Sequence, residues 1–234
     1  MKTFSVASVF ASAPRPVLTI ITRMHPDRPT MQKRCIRSVR QLSRPIPDFV
    51  QHLQVQTQVS GNMEHAEALL ADGELHEQIA GKYVYVLDDD DAISVAGDGF
   101  ALLFSWLAAS GYPSWVMVSA TLGGEGERLN GRWPRDHHPQ KGPSRYLWAD
   151  AEPFGSLYYE FDPFRVPWQP EMGNVSILNL LVRRDVFIQH AHAFARKRPG
   201  DFEFVTEMWE AGIRPVWTNL MFAKTQRISK GASE

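Results

Sequence analysis

Four consecutive aspartates, Asp88 to Asp91, follow directly on Tyr83-Val84-Tyr85-Val86-Leu87. The β-prone apolar run predicts a short buried strand. Four like charges at a strand end repel one another, so they need a cation, basic neighbours or raised pKa values. Hard oxygen donors of this kind suit Mg²⁺ or Mn²⁺. The end of a buried strand is also where ligands bind in open α/β sheets. An acid run is often only a solvated turn. Here it is wedged between a hydrophobic strand and Ala92-Ile93, which favours a metal or phosphate site.

A second pair of acids lies far along the chain. Gly200-Asp201-Phe202-Glu203 opens a segment with Phe202, Val205 and Trp209 on one side, closed by Gly212. Asp201 is placed to cap that helix, and a capping carboxylate can also face a cleft. The matching cations are Arg23 and Arg28, in the loop Arg23-Met24-His25-Pro26-Asp27-Arg28-Pro29, and Lys224, Arg227 and Lys230 in the basic tail. Arginines in such a loop either pair with phosphate or solvate the loop.

These residues need a frame. Val17 to Thr22 predicts a first buried strand, and Met31, Cys35, Val39 and Leu42 recur at helical spacing after Thr30, a candidate N-cap. Strand, loop, helix is the opening of a βαβ unit. Phe49–Val55 predicts a second strand. Residues 63–80 hold helical material broken at Gly73. Phe100, Leu103, Phe104 and Leu107 mark another helix, and Trp115–Val118 a strand. From Thr121 to Pro170 periodicity disappears and aromatics mix with cations. This predicts an irregular functional insertion or a satellite core. Val175–Val182 predicts a strand, followed by a helix carrying Phe187, Ala191 and Phe194. Residues 214–217 predict a last short strand. His190 and His192, two apart on a helix, diverge and are no metal pair.

The 234 residues suit one domain, and 44% apolar residues suffice for a core. The expected division is 14–120 for a first half, 121–172 for the insertion, 173–217 for a second half and 218–234 for the tail. Net charge is −1, so no global field draws the protein to nucleic acid or membrane. The charge is unevenly spread, however. Eight Lys/Arg lie between Arg15 and Pro47 against Asp27 alone, and ten acids lie between Glu64 and Asp98 against Lys82 alone. Cys35 is the only cysteine, which excludes an intrachain disulfide and suits a reducing compartment. No apolar run approaches a membrane span. Met1 to Ala13 mimics a short signal peptide, but its serine-broken centre predicts a frayed N-terminus on a cytoplasmic protein.

Together these pieces resemble a GT-A fold glycosyltransferase, closest to the large inverting family that includes many bacterial and phage enzymes. Leu87-Asp88-Asp89-Asp90-Asp91 matches that family's Leu-Asp-x-Asp-Asp motif. The resemblance implies an α/β fold with a mostly parallel mixed sheet flanked by helices. It implies Mn²⁺ or Mg²⁺ on Asp90 and Asp88, with Asp88 nearer the ribose or sugar and Asp91 supporting the pair. Asp89 joins Thr22, Arg23, Arg28, Lys224, Arg227 and Lys230 as nucleotide-sugar contacts. Asp201 aligns with the family's catalytic base, with Glu203 in reserve, although Gly200 stands where the first acid of the pair is usual. Asn174, on the acceptor-side strand, and Trp168 fall to the acceptor. Two family features lack counterparts: Gln56-Thr57-Gln58 carries no aspartate to read the base, and no histidine near the C-terminus offers a third metal ligand.

The chemistry is coherent. Transfer from a nucleotide sugar, expected to be UDP-linked, needs a metal on the leaving diphosphate and a carboxylate to deprotonate the acceptor hydroxyl. The expected product is a hexosyl or pentosyl transfer with inversion. The basic first helix and aromatic insertion admit a modified base in phage DNA as acceptor, flipped from the duplex. A monomer or weak homodimer is expected. Two other classes compete: a metal-dependent phosphoesterase or nuclease using the aspartate run, and a non-catalytic carbohydrate- or nucleic-acid-binding module.

Overall fold

The computed structural model describes residues 16–44, 47–57, 67–95, 97–121, 145–148, 154–155, 157–161, 164–167, 169–170, 176–196 and 200–225. Trp168, Asn174, Arg227, Lys230 and the N-terminal segment 1–13 lie outside the described residues.

The sheet begins with β1 (Leu18–Met24), buried along its whole length. It pairs in parallel with β2 (Val50–Gln56) on one side and β3 (Tyr83–Asp88) on the other. Strands covered on both faces favour continuous β-branched and apolar runs, and Leu18, Ile20 and Ile21 are fully buried. Each such side chain contributes about 1.5–3 kcal/mol by leaving water. Gly81 lets β3 start against β1, since a Cβ there would sit 2.3 Å from the Thr19 amide nitrogen.

Beyond β3 the order is β10 (Leu180–Arg183), β5 (Trp115–Thr121), β11 (Val216–Thr225) and β4 (Asp91–Ile93). The two-residue β7 (Phe154–Gly155) also pairs with β11. The sheet is mixed. β2, β1 and β3 run parallel, as do β5 and β11, while β10 lies antiparallel to both β3 and β5.

Helix α1 (Pro29–Ser43) packs Met31, Cys35, Val39 and Leu42 inward, as the spacing predicted. It starts with Pro at its first position, where a missing N–H costs nothing, so Thr30 lies inside the helix and Arg28 is the boundary residue. In residues 63–80 the described structure is a 3-10 turn, Leu69–Ala71, and a short α2 (Gly73–Gln78). Asp72 caps α2 by accepting from the Glu74 amide at 2.8 Å. Helices α3 (Gly97–Ala109), α4 (Arg184–His190) and α5 (Gly200–Glu210) complete the layers.

Three expectations need correction. The 121–170 stretch is not irregular throughout: β6 (Arg145–Trp148), β8 (Leu157–Phe161) and β9 (Phe164–Pro167) form an antiparallel three-stranded sheet. The strand expected over Val175–Val182 begins only at Leu180. Ser176 and Asn179 form a capping box that winds Ile177–Asn179 into a 3-10 turn. The last strand is not short, since β11 runs ten residues, through Lys224 to Thr225.

Candidate active site

Parallel pairing of β1 and β3 places Arg23 opposite Asp88, each at the carboxyl end of its strand. Arg23 donates from Nε to Asp88 Oδ1 at 2.6 Å and from Nη2 to Oδ2 at 2.8 Å. The guanidinium is 3% exposed and Asp88 is 23% exposed, so the pair lies at the floor of the strand ends with the carboxylate toward solvent. The fork geometry makes this the strong bidentate kind of ion pair. Arg23 was expected to contact the nucleotide, yet two of its nitrogens are committed to Asp88. Nη1 is buried with no hydrogen-bond partner among the described residues.

The remaining aspartates divide by direction. Asp89 is fully buried. It accepts from the His25 amide at 2.6 Å and from Arg28 Nη1 at 3.4 Å, which folds the β1–α1 loop over the end of the sheet. Burial raises its pKa, opposed by those partners. Asp90 is 41% exposed and meets Arg28 Nη1 at 3.0 Å. Asp91 begins β4 and is 3% exposed. Burial first, then the charges of Asp88 and Asp90, push its carboxyl up to about 9.

Helix α1 supports this acid turn from below. Ser38 Oγ accepts from the Ile93 amide at 2.9 Å and donates to Cys35 O at 2.7 Å. Cys35 Sγ lies 3.7 Å from Asp88 O. Its thiol is pushed up to about 12, mainly by burial, so it is a packing group and no nucleophile. Thr22 is buried beneath the strand end and shares a 2.9 Å hydrogen bond with His52 Nε2. Thr57, where the base-reading aspartate is absent, is buried and donates to Met24 O at 2.9 Å.

One oxygen from each of Asp88, Asp90 and Asp91 lies within 4.8 Å of the others. The donor set is all hard oxygen. One member, Asp91, has its pKa raised by burial and then by its negative neighbours. Both features fit a divalent cation of the Mg²⁺ or Mn²⁺ kind. Lys224 is exposed on β11, in register with Ala92 beside this cluster.

The distant acid comes to the same end of the sheet. Tyr85 donates its hydroxyl to Leu178 O at 2.8 Å, and Asn179 Nδ2 donates to Val118 O at 2.9 Å. These bonds fix the turn before β10 over β3 and β5. Asp201, at the start of α5, accepts from the Ile177 amide of that turn and from its neighbour Phe202 N at 2.8 Å. Asp201 thus sits where it interacts with both Arg23 and Asp88, and burial raises its pKa. Glu203 faces the other way, 3.8 Å from Arg196. Sequence reasoning missed Glu67. It is 5% exposed, accepts from the Gly200 amide, and interacts with Arg23, Asp88 and Asp201. A lone glutamate in a weakly periodic segment carries no signal of that role.

Fold and site together define a GT-A-like α/β architecture with a carboxylate cluster at the strand ends. No protein-family model matches the sequence, and no curated protein matches it. Among solved structures the fold is similar to a glycosyltransferase involved in the glycosylation of the major capsid of PBCV-1. The TM-score is 0.50 at 9% identity, over 92% of this chain and 96% of that one. It is also similar to TarS 1–349 of S. aureus, with TM-score 0.49 at 10% identity over 89% of this chain. The chain spans 60% of TarS 1–349 and 36% of the longer TarS. At these identities the likeness concerns the fold. No helix among the described residues is long and apolar enough to cross a membrane.

Proposed function

We propose that the protein is a metal-dependent glycosyltransferase that moves a sugar from a nucleoside-diphosphate donor to an acceptor hydroxyl with inversion. The observation that carries this reading is the charge balance of the strand-end cluster. Asp88, Asp90 and Asp91 converge there. Arg23 is already committed to Asp88, and Arg28 bridges Asp89 and Asp90. An anionic diphosphate meets net repulsion at such a surface unless a divalent cation joins it. The similarity of fold to a glycosyltransferase over nearly the whole of both chains supports the same reading.

In this reading Asp90, Asp88 and Asp91 hold Mn²⁺ or Mg²⁺, which when bound stabilises the departing diphosphate as a Lewis acid. Asp89 keeps the β1–α1 loop closed beneath the nucleotide. Arg28 and Lys224 face the phosphates, joined by Arg227 and Lys230 of the tail. Asp201 accepts the proton of the acceptor hydroxyl. The acceptor oxygen forms its bond to the anomeric carbon as the bond to the diphosphate oxygen breaks, and attack from the opposite face inverts the centre. Burial favours this assignment, because a raised pKa makes Asp201 a better proton acceptor. Lys33, Arg34, Arg37 and Arg40 are exposed along α1 and favour an acceptor carried on a polyanion such as nucleic acid.

The deciding experiment is calorimetry of UDP and the other nucleoside diphosphates, with Mn²⁺ and with EDTA, on wild type and Asp90→Asn. Metal-dependent binding that the variant loses supports the reading. A folded protein that binds no diphosphate under either condition overturns it.

A further inference from the structure

Resting on that reading, we propose that Glu67 is the second carboxylate of the base. It is brought in from the segment after β2 to fill the place beside Asp201 that Gly200 leaves open. The geometry is specific. A Cβ at position 200 would lie 2.8 Å from Glu67 Oε2, so the carboxylate occupies the volume of a side chain there. The Gly200 amide donates to Glu67, which ties the carboxylate to the start of α5 one residue before Asp201. Glu67 is buried, and its segment leads into the 3-10 turn Leu69–Ala71 that packs on residues 191–195, just ahead of α5.

The charged groups facing Glu67 are Asp201 from α5, Arg23 from β1 and Asp88 from β3. Among the described residues a single guanidinium, that of Arg23, is shared by the three carboxylates, and two of its nitrogens are taken by Asp88. Burial raises the pKa of both Glu67 and Asp201, and the charge of Asp201 adds to the rise at Glu67, so the ionisation of one opposes that of the other. The ionised pair therefore takes up one proton more readily than a solitary Asp201 would. Asp201 touches the acceptor hydroxyl and receives the proton. Glu67 acts through it, as a positioning residue that also opposes a second negative charge.

The test is a carboxyl ¹³C NMR titration of wild type, Glu67→Gln and Asp201→Asn, alongside steady-state kinetics of wild type and Glu67→Gln. Glu67 in Asp201→Asn should titrate about one pH unit lower than in wild type. Glu67→Gln should lose the upper of the two titration steps. Its kcat should fall about tenfold with donor KM unchanged, and the acid limb of its kcat profile should move to lower pH. A Glu67 midpoint that is the same in wild type and Asp201→Asn would overturn the pairing, and that arm stands even if Glu67→Gln fails to fold. An unshifted acid limb in an active, folded Glu67→Gln would reduce Glu67 to a structural acid. Loss of the transferase reading has a separate signature, the absence of any metal-dependent diphosphate binding in wild type.

Discussion

Arg23 and Asp88 face each other across the β1–β3 ladder and close a two-point ion pair at the end of both strands. The pair turns an acid needed on the open face into one with a fixed direction. Removing the cation while leaving Asp88, Glu67 and Asp201 in place exposes three buried or half-buried charges to one another. Arg23→Met should lower unfolding free energy by about 3 kcal/mol, read from the urea midpoint. An unchanged midpoint would show that solvent compensates Asp88 without its partner.

Asp91 carries the opposite sign. Its carboxyl, pushed up to about 9, keeps a proton in the folded protein that the unfolded chain releases near pH 4. Stability from this group is therefore fully present below pH 4 and declines as pH rises toward 9. Asp91→Asn removes that decline. In metal-free buffer it should melt above wild type, by a wider margin at pH 8 than at pH 5, while losing Mn²⁺ affinity. Equal melting curves at both pH values would contradict the burial argument.

His52 gives a second pH dependence. Burial, then the charge of Arg40, lowers its pKa from 6.5 to about 4. The unfolded chain takes up a proton on this ring between those values and the folded one does not. Stability is therefore lost as pH falls from about 6.5 to about 4, by on the order of 2–3 kcal/mol. His52→Gln, which keeps a hydrogen-bonding group near Thr22, should flatten that part of the stability profile. A profile as steep as wild type would place the loss elsewhere.

Gly81→Ala tests the seating of β3. Its Cβ would lie 2.3 Å from Thr19 N and 2.6 Å from Leu18 C, both backbone atoms that cannot swing aside. The cost should be about 3 kcal/mol or more, with Mn²⁺ binding impaired because the acid turn is carried on the same strand. Wild-type stability in this variant would mean that the strand ends separate easily.

Much of this was legible because local pattern and burial agreed. The apolar run Tyr83–Leu87 could hardly be anything but a buried strand, and the four acids after it announced a cluster. Sequence did not show that the four divide into three converging carboxylates and one, Asp89, turned under the loop, since that depends on which peptide the chain folds back upon. The Val175–Val182 run misled because hydrophobicity alone does not separate strand from turn, and the Ser176–Asn179 box decides the matter locally. The strands of residues 145–167 were hidden by prolines and clustered aromatics that break period-two alternation. Glu67 was illegible for another reason. Its partner is a glycine, and a vacancy created by a missing side chain has no spelling in the sequence around the residue that fills it.

The antiparallel β10 has a consequence for synthesis on the ribosome. It is the slat between β3 and β5, and it comes from late in the chain. Until residues 180–183 emerge, the edges of β3 and β5 that β10 covers stay unpaired. Pairing across such a sequence separation closes slowly, and open edges invite other chains. A messenger truncated before codon 180 should therefore yield inclusion bodies rather than a small soluble half.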